Sequence, residues 1–105
     1  MYTVTVSIGR SIPGGGQLTN KAWSDFRFAT LIEVERTAKA IYFDGIGLGR
    51  WEDGYEDSYT IVAAYYFLSG IATLQTELAK LAAAYSQESI AVTIGQTELI
   101  EAATL

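Results

Sequence analysis

Asp44-Gly45-Ile46-Gly47-Leu48-Gly49-Arg50-Trp51-Glu52-Asp53-Gly54-Tyr55-Glu56-Asp57-Ser58-Tyr59-Thr60 decides the fold. Asp53-Gly54 sits between two strand-like runs, and Asp-Gly is a strong signal for a two-residue hairpin turn. The segment from Ala40 to Tyr66 therefore reads as a β-hairpin. A turn centred on Asp53-Gly54 fixes which residues face each other. One face then carries Tyr42, Ile46, Leu48, Tyr59, Ile61 and Tyr65, with Arg50 opposite Asp57 as a cross-strand ion pair. The other carries Gly45, Gly47 and Gly49 opposite Val62, Thr60 and Ser58. The first is expected to be a core face and the second nearly bare backbone.

Glycine inside a strand costs roughly 0.5–1 kcal/mol relative to alanine. Three at alternate positions need a reason. They let a flat ligand or another sheet approach the backbone, or they let a long hairpin coil and bulge. The spacing is not a dinucleotide fingerprint, which needs Gly-x-Gly-x-x-Gly at a strand–helix turn.

Outward from the hairpin, Tyr2, Val4, Val6 and Ile8 alternate with Thr3, Thr5 and Ser7, a strand with one apolar and one hydroxyl face. Ile12-Pro13-Gly14-Gly15-Gly16-Gln17 is a loop. Thr19 or Asn20 caps a helix expected from Lys21 to about Ala38, with Trp23 and Phe26 in the core. Its other apolar residues spread beyond one face, so deep burial or a kink is expected. Ser69 or Gly70 opens a second helix with a clean stripe of Ile71, Leu74, Leu78, Leu81 and Tyr85. Ser89–Ile94 alternates again, and Thr97–Leu105 is a tail that extends the strand or forms a short helix. The order β-α-β-β-α-β is the ferredoxin-like split βαβ of the α+β class: a four-stranded antiparallel sheet with two helices on one face. At 105 residues the chain is one domain, residues 1–105. The open sheet face would collect Thr3, Thr5, Ser7, Ser58, Thr60, Ala91, Thr93 and the three glycines.

The chain has no cysteine and no histidine, which excludes disulfides, thiolate and imidazole metal sites and histidine-based catalysis. No metal site and no cofactor are expected. Net charge is −5, which gives no general attraction to nucleic acid or an anionic membrane. The opening residues show no secretory pattern and no apolar run reaches the ~18 residues of a membrane span, so the expected location is the cytoplasm.

Three features could carry function. The first is the glycine strip with its neighbours: Gly45, Gly47, Gly49, Arg50, Trp51, Ser58 and Thr60. The second is Arg10 with Gly14, Gly15 and Gly16, just ahead of a helix N-terminus. Backbone N–H groups, a helix dipole and an arginine suit an anion such as phosphate, and a plain surface loop explains the same residues. The third is the acidic tip of Glu52, Asp53, Glu56 and Asp57, which reads chiefly as a solvated end that keeps the hairpin soluble.

Gly9-Arg10-Ser11-Ile12-Pro13-Gly14-Gly15-Gly16, followed by Leu18, Trp23 and Phe26, resembles the opening of a bacterial domain family of unknown function. That family carries Gly-Arg-x-x-Pro-Gly-Gly-Gly and then Trp-x-x-Phe. Gly47–Gly54, as Gly-x-Gly-x-Trp-x-x-Gly, is similar to a later motif of the same family. The start of the chain and Glu56-Asp57-Ser58-Tyr59-Thr60 resemble short bacteriophage-encoded proteins. Many bacterial members look exported and this chain does not, so the resemblance implies the phage-like branch. It brings no catalytic residues with it.

The leading expectation is a non-enzymatic binding protein, a phage accessory or anti-defence factor. It would sequester a small anionic ligand such as a nucleotide, or block a host protein. One alternative is a small dimeric ferredoxin-like enzyme, for which only Asp44, Arg50, Asp57 and the tyrosines offer chemistry. The other is an assembly protein that forms a homodimer or higher oligomer through its open sheet face.

Overall fold

The computed structural model describes residues 1–51 and 54–104, with Trp51 described by its backbone alone. The elements are β1 (Tyr2–Gly9), α1 (Asn20–Thr37), β2 (Ala40–Trp51), β3 (Gly54–Tyr65), α2 (Leu68–Ala84) and β4 (Ala91–Gln96). All strand pairings are antiparallel, in the order β2-β3-β1-β4. This is the β-α-β-β-α-β arrangement expected from the sequence. No helix among the described residues is long and apolar enough to cross a membrane.

The core lies between one sheet face and the two helices. Val4, Val6 and Ile8 of β1 and Tyr59, Ile61, Ala63 and Tyr65 of β3 supply the sheet side. Trp23, Phe26 and Val34 of α1 and Ile71, Leu74 and Leu78 of α2 supply the helix side. The Phe26 ring stacks on Tyr85, with centroids 4.8 Å apart. Thr30 is buried in the same stripe, and its hydroxyl donates to the Phe26 carbonyl at 2.8 Å, which removes the cost of burying it. α1 is one helix from cap to cap: the Thr19 side chain accepts from Ala22 N–H, and the chain leaves at Ala38. Its apolar spread comes from Phe28, which points away from the core. α2 begins at Leu68, one turn position earlier than Ser69, with Phe67 as a cap that lends no side-chain hydrogen bond.

The hairpin departs from expectation in register. Trp51 pairs with Gly54, Arg50 with Tyr55, Leu48 with Asp57 and Ile46 with Tyr59. Gly54 is thus the first residue of β3, with φ +131°, a conformation that favours glycine. Asp53, the other half of the expected turn, lies outside the described residues, as do Glu52 of the acidic tip and the side chain of Trp51. Because the slip is two residues, the side chains from Phe43 to Arg50 keep their expected faces, while Tyr42, expected in the core, is 53% exposed and Ile41 packs against the core in its place. Gly45, Gly47 and Gly49 face Thr60, Ser58 and Glu56, not Val62, Thr60 and Ser58. The expected Arg50–Asp57 ion pair does not form, since Asp57 stands opposite Leu48 and bonds Arg10. A bulge between Ile41 and Phe43 places Tyr42 outside the regular pairing.

The expected core face of β2 is also only partly covered. Twelve strand residues span about 40 Å and eighteen helical residues about 27 Å, because a strand rises more than twice as fast per residue. The hairpin outruns the helices, and the molecule is 55 Å long against 28 and 21 Å across. Ile46 and Leu48 remain 69% and 63% exposed: Ile46 lies level with buried Tyr59 and Ile8 but on the edge strand, beside the core, and Leu48 lies nearer the tip. At the other end, β4 runs to Gln96, and residues 97–104 form neither strand nor helix.

Candidate functional site

Arg10 ends β1 and turns inward. Its Nε donates to the Leu18 carbonyl at 2.7 Å, Nη1 to Asp57 at 3.0 Å and Nη2 to Asn20 at 2.7 Å. The guanidinium thus ties the β1 end, the loop exit, the start of α1 and β3 together. Gly14, Gly15 and Gly16 all have positive φ, and nothing lies within 4 Å of where their Cβ atoms would be. They shape a self-closed turn, held by Ile12 N–H to the Gly16 carbonyl and Gly15 N–H to the Ile12 carbonyl. Arg10 and the three glycines are neighbours, but the guanidinium is aimed at protein groups and away from the glycine turn.

The open sheet face assembles as the alternation requires. Gly45 faces Thr60, Thr60 faces Ser7, and Ser7 faces Ala91, one row across all four strands. Gly47, Ser58 and Gly9 form the next row. The Ser7 and Thr60 hydroxyls share a hydrogen bond of 3.2 Å, and Thr3 pairs with Thr97 through their hydroxyls. The glycines differ in what surrounds them. A Cβ on Gly45 would sit 2.8 Å from the tip of the Phe43 ring, so that ring lies over the glycine. At Gly47 the nearest atom is Ser58 Oγ at 3.7 Å, an ordinary contact. Arg50 belongs to the opposite face, with its guanidinium over the Tyr55 ring at 5.8 Å.

That opposite face holds a constellation that sequence reasoning did not assemble. Ser24, Arg27, Phe28 and Leu31 of α1 and Asp44, Gly45, Ile46 and Tyr59 of the hairpin line a cleft of about 400 Å³. It lies where α1 passes beside the edge strand β2. Tyr59 donates to the Asp44 carboxylate at 2.7 Å. Burial pushes the Tyr59 phenol up from its ordinary value, and the hydrogen bond to Asp44 and its negative charge push it further. Tyr59 therefore stays protonated and holds Asp44 in place. Arg27 stacks over Trp23 at 5.3 Å, and its buried Nε has no hydrogen-bond partner among the described residues. Phe28, 65% exposed, adds an apolar wall beside these groups. A cleft with an aromatic wall, one cation and one fixed carboxylate can bind a small molecule that has an apolar ring and charged or hydroxyl substituents. Two signals for it were present in the sequence. Phe28 falls off the buried stripe of α1, and Asp44 is an acid beside Ile46 on the strand face that also carries Leu48.

A larger groove of about 510 Å³ runs between α2 and the approach to β4. Its walls are mostly small or apolar residues such as Ala79, Ala82, Ala83 and Ile90, and Glu88 is its single ionisable group. Among the described residues no group of acidic side chains is arranged to hold a metal ion.

No protein-family model matches the chain, and no curated protein matches it. Solved structures share its fold. A phage SAM lyase in complex with S-methyl-5′-thioadenosine superposes with a TM-score of 0.56 at 15% identity, over 90% of this chain and 80% of the other. The C-terminal domain of the MgtC protein from Mycobacterium tuberculosis gives 0.52 at 17% identity, over 95% and 92%. The hydroxynitrile lyase from Passiflora edulis gives 0.52 at 13% identity, over 95% and 97%. At these identities the likeness is one of fold: the chain adopts the ferredoxin-like architecture.

Proposed function

We propose that this chain is a small-ligand-binding protein whose site is the cleft between α1 and the hairpin, and that its ligand is a nucleotide or a related anionic nucleoside. The reading rests on Arg27, whose buried Nε lacks a partner in a cleft walled by exposed Phe28 and closed by the Asp44–Tyr59 pair. A nucleobase packs against Phe28 and Ile46. The anionic group pairs with Arg27, and Asp44 accepts from ribose hydroxyls or an exocyclic amine. A phage lyase of the same fold in complex with S-methyl-5′-thioadenosine, an uncharged adenine nucleoside, supports the nucleoside part of the ligand and the reading as a phage sequestering or anti-defence factor. Calorimetric titration with adenosine, its mono- and diphosphates and S-methyl-5′-thioadenosine tests the reading. Binding that weakens tenfold or more in Arg27→Ala, and persists in Arg10→Ala, supports it. Absence of binding across the panel, or binding indifferent to Arg27→Ala, overturns it.

A second reading, a small enzyme of this fold, draws on the Asp44–Tyr59 pair, since the tyrosine hydroxyl fixes the position of a carboxylate that can accept a proton from a bound substrate. Release of S-methyl-5′-thioadenosine from S-adenosylmethionine, abolished in Asp44→Asn, would favour it over sequestration.

A further inference from the structure

β2 is an edge strand of the sheet, and from Phe43 to Trp51 it pairs with β3 without a bulge. Along its outer side the N–H and C=O groups have no strand partner among the described residues. A long, regular edge is a template for another strand unless charge, proline or a bulge blocks it. β2 is 12 residues long and has no proline, and its regular part presents exposed Phe43, Ile46 and Leu48.

The sequence of this edge is complementary to itself. Laid antiparallel against its own copy about Gly47, Asp44 falls opposite Arg50, Gly45 opposite Gly49 and Ile46 opposite Leu48. The same three matches recur on the other side of the centre. Acid meets base and apolar meets apolar on the helix-side face, while glycine meets glycine on the other. Neighbouring registers lose this. Centring on Ile46 sets Asp44 against Leu48, and centring on Leu48 sets Ile46 against Arg50. The charges are suited to such a match. Arg50 has no carboxylate partner among the described residues, and Asp44 bonds Tyr59 through Oδ2 alone. The geometry leaves room as well. α1 lies beside Asp44, Gly45 and Ile46, to one side of Gly47, so the antiparallel arrangement displaces the two helical layers from each other along the joined strands.

We propose that the chain forms a twofold-symmetric dimer in which β2 pairs antiparallel with β2 of a second copy about Gly47, joining the two sheets into one. Opposed residues across an antiparallel pair have Cα atoms about 4.5–5.5 Å apart, within disulfide range. The chain has no native cysteine, and Gly47 has room for a Cβ. Gly47→Cys therefore gives a covalent dimer under mild oxidation, while Thr76→Cys, on the exposed side of α2, does not.

Charge reversal gives the second arm. Asp44→Arg and Arg50→Asp each place like charges opposite one another at two points, so each weakens self-association at least tenfold by sedimentation. An equimolar mixture of the two variants restores a dimer, because one strand is now basic at both positions and the other acidic at both. Circular dichroism confirms that each variant is folded, and should Asp44→Arg unfold, Arg50→Asp and the Gly47 thiol decide alone. A wild-type chain that stays monomeric overturns the proposal. So does a dimer that ignores Arg50→Asp, or one that cross-links through Thr5→Cys on the open sheet face and not through Gly47→Cys.

Discussion

Arg10 and Asp57 form an ion pair at 3.0 Å, and it fastens the loop after β1 to the middle of β3. The arginine side chain is 13% exposed and the aspartate 46%, so the pair lies at the margin of the core. Arg10 also carries the Leu18 carbonyl, which the loop delivers to a buried position.

Arg10→Ala should cost stability well beyond a surface pair. The charge-assisted bonds to Leu18 and Asn20 are lost with the pair, and the Leu18 carbonyl is left without its donor. About 1–3 kcal/mol is expected, most of it from the backbone acceptor, since half-exposed Asp57 regains water. Urea unfolding of Arg10→Ala beside Asp57→Asn measures the split. The aspartate variant should lose clearly less.

The hairpin shows what the sequence discloses and what it withholds. Alternation assigns Tyr59, Ile61 and Tyr65 to the core and Gly45, Gly47 and Gly49 to the opposite face, and both assignments survive a two-residue slip because the side-chain period is two. Register is less legible, because Asp53-Gly54 as turn centre and Gly54 as first strand residue leave the same trace in sequence. Burial of Ile46 and Leu48 is illegible from alternation, since it depends on how far α1 covers the edge strand. The Asp44–Tyr59 pair is a diagonal contact across β2 and β3, and the bulge at Tyr42 has no glycine or proline to announce it. Arg27 carries no motif at all; only the packing of α1 beside the hairpin brings it to Asp44.

The glycines of the strip should respond differently to alanine. Gly47→Ala meets open space and ordinary contact with Ser58, so the folded chain should gain roughly 0.5 kcal/mol from lost unfolded-state freedom. Gly45→Ala must displace the Phe43 ring from 2.8 Å, which offsets that gain. Thermal unfolding of the two variants side by side checks the order: Gly47→Ala above wild type, Gly45→Ala at or below it.

Gly9 is constrained from across the sheet. A Cβ there would meet the Glu56 carboxyl group at 2.5 Å, and that carboxylate accepts from Ser11 N–H at 2.8 Å. Gly9→Ala therefore pushes Glu56 off the backbone at the start of the glycine loop. A loss of about 1 kcal/mol is expected from that hydrogen bond. In hydrogen exchange, the Ser11 amide should lose protection in Gly9→Ala, while α2 amides keep theirs.

Tyr59 should ionise late. Burial and the Asp44 carboxylate both favour its neutral form, so its folded pKa lies above that of an unfolded tyrosine, about 10. The sign follows: its contribution to stability is complete below about pH 10 and is lost as pH rises through the folded pKa. Tyr65 shifts the same way through burial, partly opposed by its bond to Thr37. Spectrophotometric titration of tyrosinate should show a late phase, carried by Tyr59 and Tyr65, that coincides with unfolding. Tyr59→Phe removes part of that late phase and flattens the alkaline fall in stability. Asp44→Asn keeps an acceptor but removes the charge, so Tyr59 should ionise at lower pH there than in the wild type. A Tyr59 that ionises at the ordinary tyrosine value, about 10, would mean that the Asp44–Tyr59 bond is not maintained in solution.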